Sequence, residues 1–132
     1  MTFAKVVFLV AGVWGIVVLT PLYFLVDLTG RSYAPPADYP HFFYGFLSVA
    51  MAWQFAFLVI GSSPSRFRPL MITGIVEKFG HVAGVVILYQ AGRLSVPDAT
   101  AAVPDFILGV LFIAAYARTP RFSTTGLSQR PE

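Results

Sequence analysis

Five polar side chains interrupt the long apolar stretches of this sequence, and they are the residues best suited to chemistry. They are Gln54, Glu77, Lys78, His81 and Asp105. Titratable groups are rare inside membrane-spanning segments, where they face a bundle interior or a cavity. A carboxylate beside an imidazole can share a proton, which suits general acid/base chemistry or the recognition of a polar head group. The spacing names no reaction, so the sequence leaves open whether the chain is an enzyme and whether it uses a cofactor.

The apolar stretches predict an all-α integral membrane four-helix bundle, with the whole chain 1–132 as a single transmembrane domain. Of the residues, 57% are hydrophobic and only 11% are charged, which suits a bilayer better than a small soluble globule. A helix needs about 20 residues to cross a hydrocarbon core of about 30 Å. Four runs predict helices at about 3–26, 41–61, 69–91 and 97–118. The first run has no small-residue cleavage site and therefore predicts an uncleaved helix instead of a secretory signal.

Basic residues are distributed unequally between the two ends of these helices. The side shared by both termini holds Lys5, Arg66, Arg68, Arg118, Arg121 and Arg130. The opposite loops hold only two arginines, together with three aspartates: Arg31, Arg93, Asp27, Asp38 and Asp98. The positive-inside rule therefore predicts that the N-terminus and the C-terminus are cytoplasmic. This asymmetry also accounts for the net charge of +3, so no nucleic-acid partner is expected.

Helix geometry predicts where the polar residues of the third helix lie. At about 1.5 Å per residue, His81 falls near the midplane of the membrane, and Gln54 of the second helix is level with Glu77. Glu77 and His81 are four residues apart and therefore share one helix face. Lys78 is turned about 100° from that face, and we expect its side chain to extend to the cytoplasmic interface.

The depth of Asp105 depends on where the fourth helix begins. Ser95 and Asp98 fit a capping box, which predicts a start near Val96 with Pro104 as an internal kink. Asp105 would then lie inside the membrane, level with the polar residues of the third helix. A start at Pro104 would instead make Asp105 a helix cap at the outer interface.

Two interpretations of the polar residues follow. In the first, Glu77, His81 and Asp105 form the polar floor of an intramembrane pocket, with Gln54 as an amide partner, and the chain binds a lipophilic small molecule or lipid. In the second, Lys78 pairs with Glu77 or anchors to lipid, and His81 bonds across helices. The chain is then an accessory or structural subunit of a larger membrane complex. An enclosed pocket lined by Glu77, His81, Asp105 and Gln54 would favour the first interpretation, and a polar or glycine-rich stripe facing outward would favour the second.

Other residue patterns narrow the classes of site. The sequence has no cysteine, which excludes thiol redox chemistry and thiolate metal ligands. His41 begins the second helix while His81 is central, so the two imidazoles do not suit a bis-histidine haem. No metal-ligand motif is present, and no metal site is predicted. Gly12 and Gly15 on the first helix, and the Gly80-to-Gly84 GxxxG on the third, predict close helix packing.

Several motifs together carry a resemblance to a known family. They are Tyr44-Gly-Phe, Trp53-Gln54, the turn Arg66-Phe-Arg-Pro-Leu-Met, Glu77-Lys78, Gly92-Arg93, and Asp105-Phe-Ile-Leu-Gly-Val-Leu-Phe. On these motifs the chain resembles small four-helix bacterial inner-membrane proteins of the DoxX-like type, over most of its length. The resemblance implies a multi-pass protein of the bacterial inner (plasma) membrane. Some members of this grouping are linked to quinone-dependent oxidation, so the resemblance implies a quinone as a partner. The other expected partners are the lipid bilayer, a lipophilic small molecule, and a larger membrane complex or a homo-oligomer. It transfers no catalytic residue.

Two looser likenesses bear on function. Membrane sterol isomerases hold acidic residues in an intramembrane pocket, which is the analogy behind the pocket interpretation. Small multidrug exporters use an essential glutamate, but theirs lies in the first helix, so transport ranks third among the functions considered.

Overall fold

The computed structural model describes residues 2–24 and 40–124, and within these ranges the regular structure is helical. The helices are α1 (Phe3–Leu19), α2 (Pro40–Ser62), α3 (Arg68–Gln90), α4 (Val96–Thr100) and α5 (Val103–Arg118). Four segments are long and apolar enough to cross a membrane: Phe3–Phe24, His41–Ser62, Arg68–Gln90 and Val96–Arg118. The predicted all-α, four-span membrane fold is therefore confirmed.

Part of the sequence lies outside the described residues. The first outer loop, with Asp27, Arg31, Asp38 and Tyr39, belongs to this part, as does Arg130 in the C-terminal tail. The charges counted there for the orientation of the chain remain sequence observations.

The fourth span consists of two consecutive helices, the short α4 and the longer α5, with a break between them. Ser95 caps it, since its Oγ accepts a bond from Asp98 N (3.3 Å) and donates one to Asp98 Oδ2 (2.6 Å). The first segment, α4, ends at Thr100, and α5 begins two residues before Asp105, with Pro104 in its first turn. Proline has no N–H and can open a helical segment but cannot continue one. The early start predicted near Val96 is therefore found, and Asp105 lies inside the span.

The hydrophobic core lies at one end of the bundle. Three phenylalanine rings form its centre, with centroid distances of 4.2 Å between Phe8 and Phe112 and 4.9 Å between Phe57 and Phe112. The remaining buried members are Ala4, Val7, Ala11, Ile60, Met71 and Ala115. We call this end, which includes the turn at 63–67 between α2 and α3, the packed half.

The other end of the bundle is much less filled, and we call it the open half. The buried residues of α3 end at Lys78, those of α1 end at Gly12, and α4 has none. Leu47 of α2 and Ala102 are the buried apolar residues found at this end among those described. Large apolar side chains of α3 are exposed here, such as Ile87 at 65%. Because α1 packs against α2 and α5, while α3 packs mainly against α5, the contact between α2 and α3 is slight.

Glycines bring α1 and α2 close together. A Cβ atom at Gly12 would lie 2.9 Å from the backbone oxygen of Gln54, and one at Gly61 would lie 2.8 Å from the side chain of Leu9. The predicted close approach at Gly12 and Gly15 is therefore present. Gly80 and Gly84 have no neighbouring atom within 4 Å of such a position. Their predicted role in close packing is wrong within the described chain, because α3 turns this face away from the other helices.

Candidate intramembrane binding site

The inward face of α3 runs through Lys78. Its buried residues are Met71, Gly74 and Lys78, which follow the i, i+3, i+7 spacing of one helix face. Lys78 is 4% exposed and lies ten residues, or about 15 Å, from the start of the helix. The prediction that it extends to the interface is therefore wrong. The physical reason is that carboxylates of its own and the neighbouring helix lie within its reach, so the ammonium is neutralised in place.

Lys78 joins two carboxylates from different helices. Its Nζ donates a hydrogen bond of 2.9 Å to Asp105 Oδ1 and lies 3.3 Å from Glu77 Oε2. The same Nζ lies 5.3 Å from the centre of the Phe57 ring, so its third side faces an aromatic surface. An ammonium group has three N–H donors. One of them is hydrogen-bonded to Asp105, and the Glu77 carboxylate and the Phe57 ring further stabilise the buried charge.

Glu77 is held less completely than Asp105. Its Oε2 is buried and has no hydrogen-bond partner among the described residues, although it lies 3.3 Å from Lys78 Nζ. At 3.3 Å the ammonium and the carboxylate attract each other as opposite charges. The attraction therefore stabilises Glu77 without satisfying that oxygen's hydrogen-bonding capacity.

His81 completes the group from one turn further along α3. Its Nδ1 lies 3.4 Å from Asp105 Oδ2, the carboxylate oxygen that Lys78 does not bind. The His81 side chain is 40% exposed, whereas that of Asp105 is 22% exposed. We call Glu77, Lys78, His81 and Asp105 the polar cluster. Three of the four predicted site residues thus meet. His81 lies directly beside Asp105, whereas Glu77 and Asp105 are joined by Lys78, which the sequence places at the interface.

Gln54, the fourth predicted site residue, lies elsewhere. It is 4% exposed, and its side-chain nitrogen donates to the backbone oxygen of Ala50 at 2.9 Å. Its amide oxygen covers Gly15, where a Cβ atom would overlap it. Gln54 therefore belongs to the interface between α1 and α2, and its side chain makes no described hydrogen bond to the polar cluster. Its predicted role as amide partner of the pocket is not supported by these contacts.

An apolar groove lies beside the polar cluster, between α3 and the fourth span. Its volume is about 360 Å³. The lining residues are Val82, Val85, Val86, Tyr89, Gln90, Ala99, Ala102, Val103 and Phe106. Val82 lies four residues beyond Lys78 and Val85 four beyond His81, so the groove continues the helix faces that carry the cluster. The groove therefore begins about one helical turn, or roughly 5.4 Å, from the polar cluster.

This arrangement combines apolar walls with a small set of charges. Two carboxylates face one ammonium and one imidazole, so the cluster has both donors and acceptors. Within residues 2–24 and 40–124, the His, Asp and Glu side chains form no grouping that could hold a metal ion. Ligand sites are commonly apolar cavities with a few convergent polar groups. The groove lies next to the polar cluster, but none of the four predicted site residues lines it.

No protein-family model, curated protein or solved structure matches this chain. The fold and the site define the class as a multi-pass helical membrane protein with an intramembrane ion-pair cluster. The resemblance to DoxX-like proteins remains an expectation from the sequence.

Proposed function

We propose that this chain binds a lipophilic small molecule or lipid inside the bilayer. The apolar part of the ligand occupies the groove, and its polar head reaches the polar cluster. The observation that carries this proposal is the position of a groove of about 360 Å³ one helical turn from four buried or half-exposed polar side chains. Charged groups at this depth are costly and tend to be functional.

The proposed function also specifies the membrane in which the protein resides and the side of that membrane that each end of the bundle faces. The protein resides in the bacterial inner membrane, where lipophilic quinones are available as ligands, and it serves as the membrane subunit of a quinone-linked system. The packed half faces the cytoplasm, because Lys5, Arg66, Arg68 and Arg118 lie at that end. Single cysteines at Ser63 and Ser95 test the orientation, since the chain has no native cysteine. Ser63 should react only from the cytoplasm and Ser95 only from outside, and the reverse pattern would refute the orientation.

The binding proposal is tested by filling the groove. Val85→Trp places a bulky ring among the lining residues, and Val76→Trp places the same ring at a 64% exposed position of the same helix. Wild-type and variant proteins are purified in native lipids, and the retained small molecules are identified by mass spectrometry. We expect the wild type and Val76→Trp to retain a lipophilic molecule that Val85→Trp loses. Identical sets of molecules in all three proteins would refute binding in the groove.

A second candidate is an accessory subunit without chemistry of its own. It is favoured by one observation: Gly80 and Gly84 form a stripe on α3 with no neighbouring atom within 4 Å of the added Cβ positions. Small residues of this kind let a helix of another chain approach closely. Gly84→Leu should then release a partner chain from the native complex. Ile72→Leu should not, because Ile72 is exposed and lies roughly 80–120° around the helix from the two glycines. A monomeric wild-type protein in native lipids would refute this candidate.

A further inference from the structure

The two nitrogens of the His81 imidazole have different surroundings: one lies beside a carboxylate, and the other has no partner among the described residues. Nδ1 faces Asp105 Oδ2 at 3.4 Å, while the described residues give Nε2 no hydrogen-bond partner. The ring is 40% exposed, on a helix whose next turn forms a wall of the groove. An unpaired polar nitrogen at this depth is unfavourable in hydrocarbon, so it calls for a partner that enters from outside the chain.

Asp105 determines which kind of partner suits Nε2. A carboxylate beside Nδ1 favours the form of neutral histidine that carries its proton on Nδ1. Nε2 then has a lone pair and accepts hydrogen bonds. The ammonium of Lys78 is not an alternative contact for the ligand, because its donors face Asp105, Glu77 and the Phe57 ring.

We propose that His81 Nε2 accepts a hydrogen bond from a hydroxyl group on the head of the ligand, with Asp105 as the positioning residue. The ligand class is therefore a neutral lipophile with an alcohol or phenol hydroxyl, which includes the reduced form of a quinone. A head group with acceptors only finds no free donor at the cluster. This inference rests on the proposed function, since it specifies the ligand of the same groove.

The test uses two probes that differ only in the hydroxyl: para-decylphenol and its methyl ether. Binding is followed through the ¹⁵N signals of the imidazole in lipid nanodiscs. The His41→Gln background leaves His81 as the only histidine, because the sequence has two. We expect the phenol to bind and to move the Nε2 signal, and the ether to bind at least about tenfold more weakly. In His81→Phe, which keeps a ring but loses both nitrogens, the two probes should bind equally.

A second measurement needs no ligand. The spectrum of the free protein at neutral pH should show a protonated Nδ1 and an unprotonated Nε2, and Asp105→Asn should shift this balance toward a protonated Nε2. A protonated Nε2 in the wild type would overturn the inference. It would also be overturned if the phenol and the ether bound the wild type with equal affinity and both bound Val85→Trp more weakly. If neither probe responds to Val85→Trp, the proposed function fails and the inference fails with it. The three failures are therefore distinguishable.

Discussion

In the packed half, the rings of Phe8, Phe57 and Phe112 lie 4.2 to 6.1 Å apart and are fully buried. In the open half, side chains of the same apolar character, such as Ile87 and Leu88, are exposed. Lipid is as apolar as these side chains, so hydrophobicity alone does not draw the helices together in a bilayer. Shape and polar contacts therefore decide which half of the bundle closes. The polar cluster lies at the boundary between the halves.

The largest effect is expected at the boundary itself, from Lys78→Met. The substitution leaves the carboxylates of Glu77 and Asp105 without their cation, and the loss of a buried partner costs about 3–5 kcal/mol in the free energy of unfolding. The measurement is reversible unfolding in mixed micelles. Adding Glu77→Gln and Asp105→Asn to Lys78→Met should recover most of the loss, because no unpaired charge then remains. A loss below about 1 kcal/mol would mean that the ammonium is not held inside the bundle.

A phenylalanine from each half of the fourth span gives the next comparison. Phe112 is fully buried between two other rings, whereas Phe106 is 50% exposed beside the groove. Phe112→Ala should lower the free energy of unfolding by about 3 kcal/mol, because a cavity remains in a filled region. Phe106→Ala should cost less than about 1 kcal/mol, since lipid replaces the ring. Equal losses in the same unfolding assay would show that both halves are equally well packed.

The smallest effect is expected from a pair of glycines. Gly12→Ala adds a Cβ atom 2.9 Å from the backbone oxygen of Gln54, and α1 and α2 must separate to accommodate it. We expect a loss of about 1–3 kcal/mol in the free energy of unfolding. Gly84→Ala adds the same atom where nothing lies within 4 Å, so the change should stay within about 0.5 kcal/mol. A larger loss for Gly84→Ala in native lipids than in detergent would reveal a helix of another chain packed there.

The sequence was sufficient for the parts of the fold that depend on local chemistry. The length of each apolar run predicts a span, and Ser95 with Asp98 predicts the start of the fourth one. Gly12 and Gly15 indicate a close helix contact, because glycine has no side chain and lets the backbone of a neighbouring helix approach. These features follow from residues near one another in the chain.

The errors concern which face of a helix meets which neighbour. Glu77 and His81 share a face, but the contact of α3 with α5 places Lys78 on the inward side. The i, i+3, i+7 spacing of Met71, Gly74 and Lys78 indicates a common buried face. The general tendency of lysine to extend to the membrane interface predicts the opposite for Lys78. The neighbours of Gln54 and of the Gly80-to-Gly84 motif likewise depend on the arrangement of all four spans.

The bond between Lys78 and Asp105 joins residues 27 positions apart in the chain. During synthesis, α3 therefore leaves the ribosome with Lys78 and Glu77 before the carboxylate of the fourth span exists. At about 5–20 residues per second, that interval lasts on the order of one to five seconds. The third span is costly to release into lipid until Asp105 arrives. The last two spans should consequently leave the insertion machinery together as a hairpin, whereas the first two, which lack such a charge pair among their described residues, can leave one at a time.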